Sequence, residues 1–559
     1  MLLLVTLFLP LAAAALMLLL DARAPASRAR WTALLATIAT CLASFGLAAD
    51  FAKIPPVVSL DARAPIHAQM EIKQPWFSLL APLADGNART IDLEFFLGVD
   101  GIGLIMILAT TVLCFSSVLV SWNSVTQRAS EFYAFLLLLE FGLIGVFCAF
   151  DLVLFYVFYE FTLIPTFLMV GMWGGASRRQ AASQYFTYLF SGSLITLVGI
   201  VALGWHAVTA TDLTTPFSLP DLSAALSLKP MPMALQTGIF LALAAGFVVK
   251  APLLPFHTWL PQFHSEAPPA ASVLLLKLGV FGFLRLLLPL VPTACWVWGV
   301  PLIAMLSVAG IIYGSLCALV QDDLKKLLAY SSVAHVGFCF LGLFALNQEG
   351  ISGGVIQMMN LGLSTGALFC LVGMVAERYQ TRSLSQFGGL AQRLPRLASM
   401  MVFMTFASIG LPGLNGFVGE ILALLGMFGA THEWGRAYAA IAAMGIVLGA
   451  WYMLAALRKA FFGPLQEPLV VGAPAGEVIG DLNFREMAAI APLAILCLAI
   501  GLFPQPVLDV IQPDVRALTV NLDSHTRPAA ESIEVQENES TVMTWPATPV
   551  STAARKLGE

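Results

Sequence analysis

Lys250-Ala-Pro-Leu-Leu-Pro-Phe-His-Thr-Trp-Leu-Pro261 follows an apolar run that begins near Leu235. Prolines at 252, 255 and 261 remove backbone donors and clash with the preceding turns, so a helix entering this stretch must break. The stretch lies inside a region apolar enough to enter a bilayer. Irregular backbone survives at that depth only against protein or a wet cavity. A second interruption, Gly410-Leu-Pro-Gly-Leu-Asn-Gly416, breaks another apolar run. Apolar runs of about 20 residues, the length needed to span, begin near Leu2, Trp31, Phe95, Phe132, Leu152, Tyr185 and Leu235. They begin again near Pro268, Cys295, Leu327, Gly354, Leu397, Ala437 and Met487, which makes fourteen. The breaks fall in the seventh and twelfth spans, five apart. An odd offset requires two five-span units of opposite direction, spans 4–8 and 9–13, each broken in its fourth helix. Paired interruptions of this kind point to a transport pathway.

Composition agrees. The 559 residues are 59% hydrophobic and 11% charged, against about 25% charged in a soluble domain. The expected fold is therefore all-α and polytopic, with two inverted five-helix repeats and discontinuous helices. A net charge of −5 without a basic patch excludes nucleic acid as a partner. The bilayer is the implied surroundings. The first run, from Leu2, lacks a basic leader and a cleavage signal, and reads as a retained helix. The eight cysteines form no C-x-x-C pair and read as small buried hydrophobes.

Loop charges set the orientation. Odd-numbered loops carry Arg23, Arg28, Arg30, Arg128, Arg178, Arg179, Lys325, Lys326, Arg378, Arg382, Arg393, Arg396, Arg458, Lys459 and Arg485, fifteen in all. The short even-numbered loops carry two, Lys229 and Arg436. Lys and Arg concentrate on the cytoplasmic side, so both termini are expected on the outer side. The chain divides into 1–131 (spans 1–3 with a long outer loop), 132–291 and 292–463 (the repeats), 464–505 (span 14), and 506–559, a polar tail expected to be disordered.

Charges inside apolar runs are few: Lys250, Lys277 and Arg285, with Glu140, Glu160 and Glu420. Each costs about 2.5–3.5 kcal/mol at mid-bilayer on insertion scales, so such residues mark ion or proton routes. Glu160 lies midway in span 5 and Lys250 just before the first break. They form either a charge-separating switch or a static buried ion pair. Lys277, near the middle of span 8, has no sequence neighbour to neutralise it. Glu420 follows the second break, in a place that Lys250 approximates in the first repeat. Tyr330, Ser331, Ser332 and His335 lay hydroxyls and an imidazole along span 10. Glu140, Arg285, His257 and His264 are supporting candidates. No metal-ligand spacing, phosphate loop or dinucleotide fingerprint occurs.

These segments resemble the antiporter-like subunits of respiratory complex I, most closely the M (subunit-4) type. The resemblance rests on Phe158-Tyr-Glu-Phe-Thr-Leu-Ile-Pro165, Lys250 to Pro261, and His264-Ser-Glu-Ala-Pro268. It rests equally on Asp323-Leu-Lys-Lys-Leu-Leu-Ala-Tyr-Ser-Ser-Val-Ala-His335 and Leu411-Pro-Gly-Leu-Asn-Gly-Phe-Val-Gly-Glu420, and covers about residues 90–505. It implies fourteen helices, two inverted repeats, and a proton path through Glu160, Lys250, Lys277 and Glu420. Three departures stand out. The family's Leu-Pro-Asp-Ala-His is Leu260-Pro-Gln-Phe-His264, its Asn-His-Gly-Leu-Ser is Asn360-Leu-Gly-Leu-Ser364, and the His264–Lys277 segment is short by about one turn.

The resemblance implies a membrane-arm subunit of a bacterial NADH–quinone oxidoreductase in the inner membrane, a translocase with no redox centre of its own. NADH, flavin, iron–sulfur clusters and quinone would belong to partner subunits, and other antiporter-like subunits would flank it. The expected cycle separates Glu160 from Lys250, passes the Lys250 proton to Lys277, and moves it through His335 to Glu420 and the outer side. A subunit of a multi-subunit sodium/proton antiporter, or a structural paralogue with a decayed relay, remain as alternatives.

Overall fold

The computed structural model describes every residue except 20–24, 56–64, 83–87, 212, 275–277, 469–478 and 527–559. Among the described residues, thirteen helices are long and apolar enough to cross a membrane. Spans 1 to 7 are Leu2–Leu19, Ala26–Phe51, Gly101–Val120, Ala129–Cys148, Leu152–Trp173, Arg178–Ala210 and Met233–Lys250. Span 8 covers Pro269–Leu290, and spans 9 to 11 are Pro292–Leu319, Leu324–Leu343 and Gln348–Tyr379. Spans 13 and 14 are Gly435–Phe461 and Phe484–Leu502. The expected twelfth span is the one outside this set. It is split into Pro395–Ser408 and Asn415–Phe428, each too short to cross alone. Both expected interruptions are present, since span 7 stops at Lys250 and resumes only as Trp259–Glu266.

Polar caps place many of the span starts. Asp100 accepts from Gly103 N, Asp151 from Val153 N and Leu154 N, and Asp323 from Lys325 N and Lys326 N. Asn347 caps span 11, and Asn483 and Glu486 form a reciprocal capping box on span 14. Spans 3, 8, 10 and 11 are almost wholly buried and make the centre. Spans 1, 2, 6, 13 and 14 lie at the periphery. There Val198, Val201, Trp205, Met444, Val447 and Trp451 are exposed, as expected of a lipid-facing surface.

The structure corrects the sequence reading in two places and adds a feature it did not address. The apolar run from Phe95 begins as a strand, not a helix. Gln69–Pro82 (β1) and Ala88–Val99 (β2) form an antiparallel hairpin within the long outer loop, and span 3 starts only after the Asp100 cap. The tail expected to be disordered from 506 is helical over Gln505–Thr526. Ile511, Val515, Leu518 and Leu522 recur every three or four residues and are buried, giving an amphipathic stripe that a search for continuous apolar runs passes over. Residues 527–559 lie outside the described residues. Finally, spans 8, 9 and 11 contain wide π turns at Phe283–Leu287, Cys295–Ala304 and Leu361–Thr365.

Candidate functional site

Span 5 is pinched at Thr162, between helical segments Leu152–Phe161 and Leu163–Trp173. Pro165, lacking an N–H, cannot complete the ladder across this turn. The Tyr159 carbonyl faces inward here and accepts from Thr162 Oγ1 at 2.8 Å and from Lys250 Nζ at 2.6 Å. Lys250 Nζ also lies 3.3 Å from Thr162 Oγ1 and 3.4 Å from the centroid of the Tyr159 ring. The amine, only 5% exposed, is thus clasped by a carbonyl, a hydroxyl and an aromatic face. Glu160, the next residue along, is half-buried. It stays within electrostatic reach of Lys250. Among the described residues, no ion pair joins the two.

The second break holds a carboxylate. Gly410 has φ +71 and Gly413 φ +90, left-handed conformations that suit glycine. A Cβ on Gly410 would lie 2.8 Å from Glu420 Oε2, so the turn closes directly over that carboxyl. Glu420 is 2% exposed. Its Oε1 lies 3.0 Å from His335 Nδ1 and accepts from Gln357 Nε2 at 3.3 Å. The histidine contact has ion-pair distance but not hydrogen-bond alignment. On the ring's other side, His335 Nε2 lies 3.4 Å from Ser408 Oγ. The chain of contacts continues through Gln357 Oε1, which accepts from Asn360 Nδ2 at 3.0 Å. Asn360 and Asn415 then bond each other reciprocally, through Asn415 O at 2.8 Å and Asn415 Nδ2 at 2.9 Å. Spans 10, 11 and both halves of span 12 therefore meet in one buried polar network.

Not all the expected residues gather here. Lys277 lies outside the described residues. Lys250 ends its half-helix before the break, whereas Glu420 sits in the half-helix after its break. The expected polar row on span 10 divides. Ser331 bonds Tyr452 on span 13 at 2.8 Å, and Ser332 bonds its own helix carbonyl at Leu328. Tyr330 turns towards His257, 6.4 Å between ring centroids. His264 is fully buried, neither ring nitrogen has a partner among the described residues, and its ring stacks on Phe369 at 4.4 Å. Glu140 is fully buried, and among the described residues neither carboxyl oxygen has a partner. Its neighbours on span 4, Phe141, Gly142 and Gly145, pack on span 5. Arg285 pairs with Asp100 at the far end of span 8.

Sequence reasoning missed Gln357, Asn360, Ser408, Asn415 and Tyr452. The signal for the first two was available. They are amides three apart in an apolar span, which puts them on one helix face. Among the described residues, no group of three or more His, Cys, Asp or Glu side chains could hold a metal ion.

Residues 149–453, which contain both breaks and the contacts made at each, but not Glu140 or Asp100, match the family described as NADH:quinone oxidoreductase/Mrp antiporter, transmembrane. The chain belongs to this family. NADH-quinone oxidoreductase subunit M of Rhodobacter capsulatus is 40% identical over 524 residues, covering 92% of this chain and 95% of that protein. A chain of respiratory complex I from Thermus thermophilus, solved with bound NADH, superposes with a TM-score of 0.76. It is 31% identical and covers 93% of this chain and 100% of that one. A chain of the Mrp complex from Dietzia sp. DQ12-45-1b, 19% identical, shares the fold with a TM-score of 0.72, over 93% of this chain and 97% of that one. The family's transport segment thus begins at the start of span 5 and ends within span 13, leaving the hairpin and the C-terminal helix outside it.

Proposed function

We propose that this chain is the M-type membrane-arm subunit of a bacterial NADH–quinone oxidoreductase, where it carries protons across the inner membrane. Quinone reduction in other subunits drives it. The NADH, flavin, iron–sulfur clusters and quinone belong to those partners, and other antiporter-like subunits flank it in the membrane. Both termini lie on the outer side, opposite the arginine-rich loops. The observation that carries the reading is the pair of broken spans, one presenting a buried amine and the other a buried carboxylate, on a chain 40% identical over 92% of its length to subunit M of Rhodobacter capsulatus.

The chemistry is proton transfer alone. Lys250 donates to Tyr159 O and Thr162 Oγ1 whether or not it is charged, but its contact with the Tyr159 ring favours the ammonium. Moving Glu160 relative to Lys250 changes the field on that ammonium and frees its proton. Lys277, whose role rests on the family resemblance, takes the proton in the central step. His335 passes it to Glu420, and Gln357 and Asn360 hold that carboxyl in place through the transfer.

The test is NADH-driven proton uptake in inverted membrane vesicles. Lys250→Ala and Glu420→Gln should abolish this chain's share of uptake while the assembled complex still oxidises NADH. Full uptake in both variants would sink the relay. Uptake that requires sodium, and persists without quinone turnover, would select the Mrp-type antiporter instead.

A further inference from the structure

The helix Gln505–Thr526 lies across the N-terminus of span 3 at the closest possible range. A Cβ on Gly101 would sit 1.9 Å from Val510 O, so only glycine admits the helix there. Two carboxyls meet on that first turn. Asp100 caps it through Gly103 N at 2.8 Å, and Asp514, from the C-terminal helix, accepts from Ile102 N at 3.1 Å. Arg285 from span 8 spends both arms on Asp100, at 2.5 and 2.7 Å, with its guanidinium held against the rings of Phe150 and Phe281. Asp100 and Arg285 are buried. Asp514 as a whole residue keeps some exposure, but its carboxyl is enclosed. Among the described residues, no basic nitrogen lies within 4.0 Å of it. A cavity of about 30 Å³ touches Asp100, Arg285, Asp514 and His67, room for a single water.

The charges here do not balance. The Arg285 guanidinium is matched by Asp100, and among the described residues Asp514, the second carboxyl on the same turn, has no cation paired to it, only backbone N–H groups, the helix dipole and the more distant Arg285 charge. Asp100 is held on both oxygens by Arg285, so the carboxyl on this turn that takes a proton is Asp514. We propose that Asp514 seats the C-terminal helix on span 3 as the neutral acid beside the Asp100–Arg285 pair, and that losing its proton unseats the helix. Burial, and then repulsion from Asp100, raise the Asp514 carboxyl well above the usual range. With the seated value above the free one, the seat is complete below the free value, about 4. It is lost as pH rises through the seated value. Among the described residues, the other charged groups nearby are His67 on the cavity wall, Arg285, Asp509 on the same helix, and the exposed Glu349 at the start of span 11, which also packs on this helix.

The site lies outside the proton path, so its test is independent of pumping. Amide exchange of residues 505–526 is followed by mass spectrometry in the full chain in its native membrane, between about pH 6 and 9. Rates are corrected for intrinsic exchange and referred to span 10. Wild-type protection should fall with pH, approaching about tenfold per unit, the slope of one linked proton. Asp514→Asn, a neutral isostere, should remain protected at every pH, and His67→Gln should keep the wild-type slope. A flat wild-type profile would overturn the proposal whatever the variants do. So would a wild-type slope in Asp514→Asn, or loss of the slope in His67→Gln.

Discussion

Replacing Asn360 by leucine tests whether the second break is held for function. The two side chains have similar volume, so little packing is lost. Three hydrogen bonds go: to Gln357 Oε1 at 3.0 Å, to Asn415 O at 2.8 Å, and from Asn415 Nδ2 at 2.9 Å. Asn415 Oδ1 already lacks a partner, so the change leaves that amide with none for its side chain among these contacts. Side-chain hydrogen bonds between membrane helices average about 0.6 kcal/mol, with a ceiling of about 1.7. Three at the average come to about 2 kcal/mol. That is roughly a 30-fold penalty on the state in which the break is closed around Glu420. The assay compares proton uptake with NADH oxidation in the same vesicles, with assembly checked by native gel. Uptake through this chain should drop to a few per cent while NADH oxidation by uncoupled vesicles changes by less than about twofold. Uptake near the wild-type level in an assembled Asn360→Leu complex would refute the claim that this network positions Glu420. A parallel fall in NADH oxidation would place the loss in assembly instead.

Further expectations follow from individual contacts. Thr162→Val removes the 3.3 Å contact to Lys250 but leaves the Tyr159 carbonyl, so uptake should fall by less than about tenfold, against complete loss in Lys250→Ala. Uptake equal in the two variants would contradict that ranking. Leu361→His restores the family's histidine beside Asn360. Because Gln357 and Asn360 already connect Glu420 to the break, uptake per NADH should not rise, and a clear gain would show that the histidine is a missing relay member. Asp322, in the loop before span 10, bonds Ser383 and Ser385 and pairs with Lys459. The Ser383 bond leads in lowering its carboxyl below the usual value. The loop contact is therefore complete above about pH 4 and lost as pH falls through the lowered value. Amide exchange over residues 383–386 should show that acid limb, and Asp322→Asn should abolish it.

The breaks were legible because proline and glycine act locally: no tertiary contact can restore the donors missing at Pro252 and Pro255. Lys250 and Glu420 were legible because charge in an apolar run needs a reason. Gln357 and Asn360 escaped because an amide costs too little in a membrane to stand out, although their three-residue spacing was visible. The partner of Lys250 was not legible at all. A backbone carbonyl carries no sequence signature, and Tyr159 O becomes available only through the pinch that Thr162 and Pro165 impose on span 5. The hairpin and the C-terminal helix were hidden differently. Period-two and period-3.6 patterns lie beside continuous apolar runs there, and a search for length alone reads through them.

The two breaks do different chemistry, and the difference bears on how they act together. At the first, an amine is held by a carbonyl, a hydroxyl and a ring. The ring contact is lost with the charge and the two hydrogen bonds weaken but can still be donated by the neutral amine, so a proton can leave Lys250 without dismantling the clasp. At the second, every contact to Glu420 comes from a side chain on another helix: His335 on span 10 and Gln357 on span 11. A carboxyl that gains a proton there weakens its hold on both. Protonation at the first break is therefore nearly silent for the backbone, while protonation at the second loosens the packing of three spans. If the chain alternates access, the moving element is the second break, with the first serving as a fixed donor. Cysteine labelling at Phe256 and at Leu411, both exposed, offers a direct comparison. Turnover should change the labelling rate at Leu411 and leave Phe256 unchanged, and the opposite result would reverse the assignment.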